Sequence, residues 1–190
     1  MKKTLMAIAA STLLAAPVMA DEVKLGIILG FTGPIESLTP DMASGAELAI
    51  AEVNAAGNFM KGSTTVTSVR GDSTCVDAAA ATAAAERLIT ADKVNGIMGA
   101  DCSGVTTAIL QNVAMANGVA MVSPSATSPA LSTLEDNGLF FRTAPSDARQ
   151  GQVVAEMLTE AGYKSAAISY TNNDYGKGLA DSIQTNFEGM

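Results

Sequence analysis

Short apolar runs alternate along the chain with longer segments in which apolar residues recur every three or four positions. Apolar runs of about four to eight residues are typical of strands buried on both faces, and longer periodic segments are typical of amphipathic helices. The runs predict strands at residues 23–30, 66–69, 94–99, 119–123, 139–143 and 166–170. The periodic segments predict helices at residues 39–56, 76–88, 103–117, 146–160 and 175–187. Because the two kinds of element alternate, we expect an α/β fold with a doubly wound parallel sheet and right-handed crossovers.

Capping residues predict where several of these helices begin. Thr39 is placed as an N-cap because Pro40 follows it, and proline is favoured at the first helical position. Ser103 and Ser146 are placed as the N-caps of two later helices. These assignments predict that all three hydroxyl groups accept hydrogen bonds from backbone N–H groups of the first helical turn.

Two small, hydroxyl-rich turns follow neighbouring apolar runs. The first turn contains Ser103, and the second contains Ser125 and Thr127. Ligands of open α/β sheets bind at the carboxyl ends of the strands, where hydroxyls and free N–H groups can hold an anion. Each hydroxyl is also explained by capping or by local turn bonds. Their occurrence at adjacent strand ends favours a receptor for a small anion or zwitterion. Tyr175, just past another predicted strand, is either a surface residue or a ring that closes over the ligand.

The first twenty residues have the features of a secretory signal peptide. Lys2 and Lys3 form a positive start, residues 5–16 form a short apolar segment, and Ala20 completes an A-x-A-like cleavage site. The apolar segment is too short to span a bilayer. We therefore expect residues 1–20 to be removed, and the mature chain to be periplasmic without membrane insertion.

Composition narrows the possible functions. Without Lys2 and Lys3 the chain has nine basic and nineteen acidic residues, a net charge of −10, which opposes binding to nucleic acid or anionic membranes. The sequence contains no histidine, which excludes Ser-His-Asp and Cys-His catalysis and histidine-ligated zinc. We therefore expect a binding protein and no enzyme, metal or cofactor. A hydrolase or oxidoreductase stays an alternative, although the turn with Gly26, Gly30 and Gly33 lacks the spacing of a dinucleotide site.

Cys75 and Cys102 are the two cysteines of the sequence. In an exported protein a pair of cysteines favours one disulfide, and the spacing excludes a C-x-x-C redox site. Closing a loop of this length stabilises a fold by roughly 3–4 kcal/mol in the chain-entropy treatment.

Four segments, taken in order, resemble one protein family. They are Gly118 to Thr127, Phe141 to Asp147, Gln150-Gly151 and Asp174-Tyr175-Gly176. Together they resemble the branched-chain amino-acid type of ABC-transporter substrate-binding protein, a group of type I periplasmic binding proteins. The resemblance implies two Rossmann-like lobes that are joined by a hinge of three crossing segments and close around a ligand.

The same resemblance implies a domain organisation. Residues 21–142 would form the first lobe, and residues 143–190 would cross over and begin a second lobe that is incomplete. Members of the family are considerably longer, and this chain stops directly after a predicted helix. We therefore interpret the sequence as the N-terminal part of a longer protein and expect residues 21–190 alone to bind a ligand weakly or not at all. The resemblance also places a first-lobe disulfide at Cys75 and Cys102.

The resemblance further assigns a binding site. Ser103 and Thr127 would hold the carboxylate of an amino acid, and the backbone carbonyl of Ser125 would accept a hydrogen bond from its ammonium group. Ala126 lies in the same turn and is included in the site. Tyr175 would line the pocket from the second lobe.

Two features bear on the side-chain pocket and on the ammonium group. Leu38 falls near a place where several relatives carry a pocket tyrosine, so we expect this pocket to differ. The acidic residue that completes ammonium recognition in relatives lies beyond Met190. A carboxylate ligand is therefore better supported than an α-amino acid.

The implied function is that of a monomeric periplasmic receptor. It would deliver an amino acid, apolar or branched in its side chain, to an ABC permease. One alternative keeps the fold and changes the ligand to an aromatic or other organic acid, or an amide. Another makes the chain the ligand-sensing ectodomain of a larger receptor.

Overall fold

The computed structural model describes residues 21–190, so the predicted signal peptide at residues 1–20 lies outside the described residues. Five parallel strands form one sheet in the order β2-β1-β3-β4-β5. The strands are β1 (Asp21–Leu29), β2 (Thr64–Asp72), β3 (Gly96–Gly99), β4 (Ala120–Ser123) and β5 (Phe140–Arg142). This sheet confirms the predicted α/β class.

Helices connect the strands and continue after the last one. They are α1 (Thr39–Ala56), α2 (Ala78–Thr90), α3 (Ser103–Ile109), α4 (Met115–Asn117), α5 (Asp147–Glu160) and α6 (Asp174–Glu188). A π-helical turn, Leu110–Ala114, joins α3 to α4 without a break. The predicted helix at residues 103–117 is therefore confirmed as one helix with a widened turn.

The core lies on both faces of the sheet. Along β1, Ile27 and Leu29 pack with Ala43 of α1 on one face, whereas Ile28 packs with Leu88 of α2 and the apolar residues of α3 on the other. Successive strand residues point to opposite faces, so the apolar carboxyl-terminal half of β1 contributes to two cores. This arrangement confirms that the sheet is doubly wound.

The structure contradicts the N-cap prediction for Thr39 and confirms the one for Ser146. Thr39 is the first residue of α1, after Leu38 at the cap position, so its predicted role is wrong. Its buried hydroxyl donates to the carbonyl of Gly30, 3.1 Å away, and ties α1 to the end of β1. Ser146 caps α5 as predicted and accepts from the N–H of Ala148.

The predicted strand at residues 166–170 is wrong. Among the residues that the structure describes, no segment pairs with this stretch, and Ile168 and Tyr170 are exposed. A strand requires a hydrogen-bonded neighbour, which a local apolar pattern cannot supply. The flanking helices α5 and α6 pack against each other, where Gly151 meets Ser182.

None of the helices within residues 21–190 is both long and apolar enough to cross a lipid bilayer.

Candidate functional site

A cleft of about 710 Å³ opens at the carboxyl end of the sheet. Its walls come from the loops after β1, β2, β3 and β4 and from residues 171–175. The strand order reverses between β1 and β3, and ligands of open α/β sheets bind at such a switch point. The cleft therefore lies where this fold places a ligand.

Asp101 joins the loops that form the floor of the cleft. Its carboxylate is 3% exposed and accepts hydrogen bonds from the N–H of Gly30 at 2.7 Å, the hydroxyl of Ser73 at 3.2 Å and the N–H of Cys102 at 3.0 Å. These donors follow three different strands, so one buried carboxylate sets the relative positions of three loops. Asp101 was not predicted as a site residue, although it follows a predicted strand.

Asp101→Asn is expected to lower the free energy of unfolding by about 1–3 kcal/mol, because an amide cannot accept from all three donors and leaves one of them buried without a partner. Urea denaturation measures the change. Asp136→Asn is the control, since Asp136 lies in an exposed turn where asparagine serves equally well. Equal stability of the two variants would contradict the role given to Asp101.

Cys75 and Cys102 form the predicted disulfide, with an S–S distance of 2.10 Å and a Cα–Cα distance of 5.2 Å. Both cysteines line the cleft. The bond links the loop after β2 to the loop after β3, next to Asp101. The prediction of one disulfide is therefore confirmed, and the bond belongs to the wall of the site.

Ser103 lies at the start of α3 and is 2% exposed. Cys102, not Ser103, occupies the cap position, so the predicted N-cap role is wrong. The Ser103 hydroxyl instead accepts from the N–H of Ser128 at 3.1 Å, and no hydrogen bond among residues 21–190 uses its proton. Ser103 lines the cleft, and as a first-turn residue of α3 its N–H has no partner within the helix.

The turn after β4 is held from several sides. Ser123 accepts from the N–H of Ala126 at 2.9 Å, and the Ser125 hydroxyl donates to the carbonyl of Asp101 at 3.0 Å. Arg142 of β5 donates to the carbonyl of Ala126. Ser125 lines the cleft, whereas Ala126 is completely buried and contributes to the shape of the turn.

Thr127 follows Ser125 by two residues in this turn, and its side chain contacts Asp147 and does not line the cleft. Its hydroxyl donates to the carboxylate of Asp147 at 2.8 Å, and its carbonyl accepts from the N–H of Asp147 at 2.9 Å. A hydroxyl has one proton, so in this arrangement the Thr127 side chain offers only lone pairs, and its N–H is the remaining donor. Asp147, which is 3% exposed, was not identified from the sequence.

Tyr175 lines the cleft and is 43% exposed. Leu38 lies outside the lining and is 60% exposed. Ile35 and Val76 instead form apolar wall with Val105. These three residues were not predicted from the sequence, because only the order of the strands in the sheet brings the segments that carry them to one cleft.

Asp72 holds the loop that carries Ile35. Burial raises the pKa of Asp72, but hydrogen bonds from the Thr32 hydroxyl at 2.6 Å and from the N–H groups of Thr74, Thr32 and Phe31 outweigh it, so the pKa lies below its ordinary value. The ionised carboxylate is therefore the form that orders this side of the cleft.

The charged residues that line the cleft are Asp101 and Asp174. No lysine or arginine belongs to the described lining. Within residues 21–190, no group of three or more histidine, cysteine or acidic side chains is arranged to hold a metal ion.

The sheet, the helices on both of its faces and the cleft at the switch point define a doubly wound ligand-binding domain. Residues 41–189 match the family described as "Receptor family ligand binding region", and the chain belongs to this family. The chain is 32% identical over 183 residues to the Leu/Ile/Val/Thr-binding protein of Salmonella typhimurium, an alignment that covers 96% of this chain and 48% of that protein.

Solved structures with the same fold agree with this family assignment. The branched-chain amino acid transporter substrate binding protein of Streptococcus pneumoniae, in complex with isoleucine, is 26% identical with a TM-score of 0.71, over 88% of this chain and 47% of that protein. A solute binding protein of R. palustris, in complex with 4-hydroxybenzoate, has the same fold. It is 24% identical with a TM-score of 0.75, over 89% of this chain and 44% of that protein. The chain thus resembles type I periplasmic binding proteins and spans about half the length of these relatives.

Proposed function

We propose that the protein is a periplasmic solute-binding receptor of an ABC importer and that its ligand is an apolar, branched-chain amino acid. The observation that carries this proposal is the composition of the cleft. A serine hydroxyl with a free proton and backbone donors lie at one end, next to an apolar wall. The names of the Salmonella typhimurium and Streptococcus pneumoniae relatives support the same ligand class.

The head group of the ligand would contact three parts of the site. Its carboxylate would accept from the Ser103 hydroxyl and from free N–H groups of Ser103 and Thr127. Its ammonium group would donate to the carbonyl of Ser125. Ala126 would hold this turn in shape, since its N–H and carbonyl are both engaged by other residues.

The side chain of the ligand would lie against Ile35, Val76 and Val105, with Tyr175 covering it. Burial of apolar surface against such a wall supplies most of the affinity for an aliphatic side chain. Residues 21–142 would be the first lobe and residues 143–190 the crossover and start of the second. The proposed role is binding and delivery without catalysis.

Ser103→Ala is expected to weaken leucine binding about 10- to 100-fold, because a hydrogen bond to a charged group contributes about 1.5–3 kcal/mol. NMR titration measures the dissociation constant up to the millimolar range, so weak binding is still quantified. Thr107→Ala is the control: it lies one turn along α3, and its hydroxyl bonds only to the backbone of Ser103.

A far-UV spectrum and a melting curve establish that both variants are folded. Equal leucine affinities of the two variants would contradict the site. Binding of 4-hydroxybenzoate but not leucine would replace the amino acid with an aromatic acid. If neither compound binds a chain that includes both lobes, the proposed ligand class is wrong.

A further inference from the structure

The cleft contains one acidic side chain that no hydrogen bond among residues 21–190 engages, and it lies in the first turn of α6, where the helix dipole favours a negative charge. Of its two charged lining residues, Asp101 is fully engaged by three donors from the surrounding loops. Asp174 differs, because no hydrogen bond among residues 21–190 engages its carboxylate. A free negative charge therefore faces a cleft whose described lining carries no lysine or arginine.

The position of Asp174 is set by the start of α6. Asn173 caps this helix by accepting from the N–H of Gly176 at 2.9 Å. Gly176 packs so closely that a Cβ atom there would lie 2.2 Å from the carbonyl oxygen of Thr171. Because the turn is held on both sides, the backbone that carries Asp174 has little freedom to move away from the cleft.

The Asp174 carboxylate lies beside the proposed carboxylate contacts. Its Oδ2 atom is 3.8 Å from the position that a Cβ atom on Gly104 would occupy, and Gly104 directly follows Ser103. A ligand carboxylate held by Ser103 would therefore lie within several ångströms of a second negative charge. Asp174 is exposed to solvent, and even through water like charges at such separations change an affinity severalfold at low ionic strength.

We propose that Asp174 is a specificity-determining residue that disfavours ligands with an uncompensated negative charge and favours those that carry an ammonium group next to their carboxylate. This inference rests on the proposed function, because it takes the same cleft as the ligand site. It extends that function by naming a residue that separates zwitterions from simple organic anions.

The test compares two ligands that differ only in the ammonium group, leucine and 4-methylpentanoate. For Asp174→Asn, we expect the affinity for 4-methylpentanoate to rise about 3- to 10-fold, while the affinity for leucine rises less than 2-fold or falls. Asp174→Glu keeps the charge and is expected to keep the discrimination of the unmodified protein. The gain in affinity for 4-methylpentanoate should become smaller as the salt concentration is raised, because salt screens exposed charges.

Asp181→Asn is the matched control. It makes the same change of charge two turns along α6, where Asp181 pairs with Lys177 and lies outside this cleft. A parallel change of both affinities in Asp174→Asn, or the same change in Asp181→Asn, would overturn the proposal while leaving the amino acid site in place. Failure of both ligands to bind any variant of a chain that includes both lobes would instead overturn the proposed function, and the inference with it.

Discussion

Gly151→Ala is expected to lower the free energy of unfolding of the α5–α6 pair by about 3 kcal/mol, the upper part of the range for overpacking. A Cβ atom at residue 151 would lie 2.2 Å from the Ser182 hydroxyl oxygen, 2.6 Å from its Cβ and 2.7 Å from its backbone carbonyl carbon. A rotation of the serine side chain relieves only the first of these contacts. The two helices must therefore separate, which exposes the surface that they bury against each other.

Gly45→Ala provides the matched control for this substitution. Gly45 lies within α1, and a Cβ atom there would have no neighbour within 4 Å. Alanine at this position is expected to stabilise the protein by about 0.5–1 kcal/mol, the usual difference between the two residues inside a helix. Hydrogen exchange at the amides of α5 and α6 measures the local opening free energy. Unchanged protection in Gly151→Ala would show that the two helices do not pack as described.

Removal of the disulfide by the double substitution Cys75→Ala, Cys102→Ala is expected to destabilise the protein by roughly 3–4 kcal/mol. The cysteines are 27 residues apart, and releasing a loop of this length restores that much conformational freedom to the unfolded chain. Denaturation in urea gives the difference between the oxidised protein and the double variant.

A reducing agent supplies the control for the disulfide prediction. It should lower the stability of the unmodified protein to about that of the double variant and leave the double variant unchanged. A loss below about 1 kcal/mol would mean that the loops after β2 and β3 are held by other contacts, chiefly the hydrogen bonds to Asp101. In that case the disulfide would contribute little to the wall of the cleft.

Much of the fold follows from local pattern. Strands β1 to β5 and helices α1 to α6 occur in the predicted order, because hydrophobic periodicity is a property of short segments. Boundaries moved by a few residues, as for β2, which extends to Thr64–Asp72. The two hydroxyl-rich turns lie side by side because β3 and β4 are neighbours in the sheet.

The site was less predictable, because its key partners are distant in the chain. Ser103 meets the N–H of Ser128, 25 residues away, and Thr127 meets Asp147, 20 residues away. Neither pair has a signature in a single sequence. The apolar wall of the cleft was missed for the same reason, since only the sheet order brings Ile35 and Val76 to one cavity.

The sequence by itself determined the α/β class, the order of the elements, the disulfide and the two serines that line the cleft. All of these depend on residue type or on patterns over a few residues. The tertiary structure alone decided that residues 166–170 have no strand partner within residues 21–190, that Asp101 joins three loops, and that the Thr127 hydroxyl donates to Asp147. Each of these depends on which groups the packed sheet brings within hydrogen-bonding distance, and that distance is set by the whole fold.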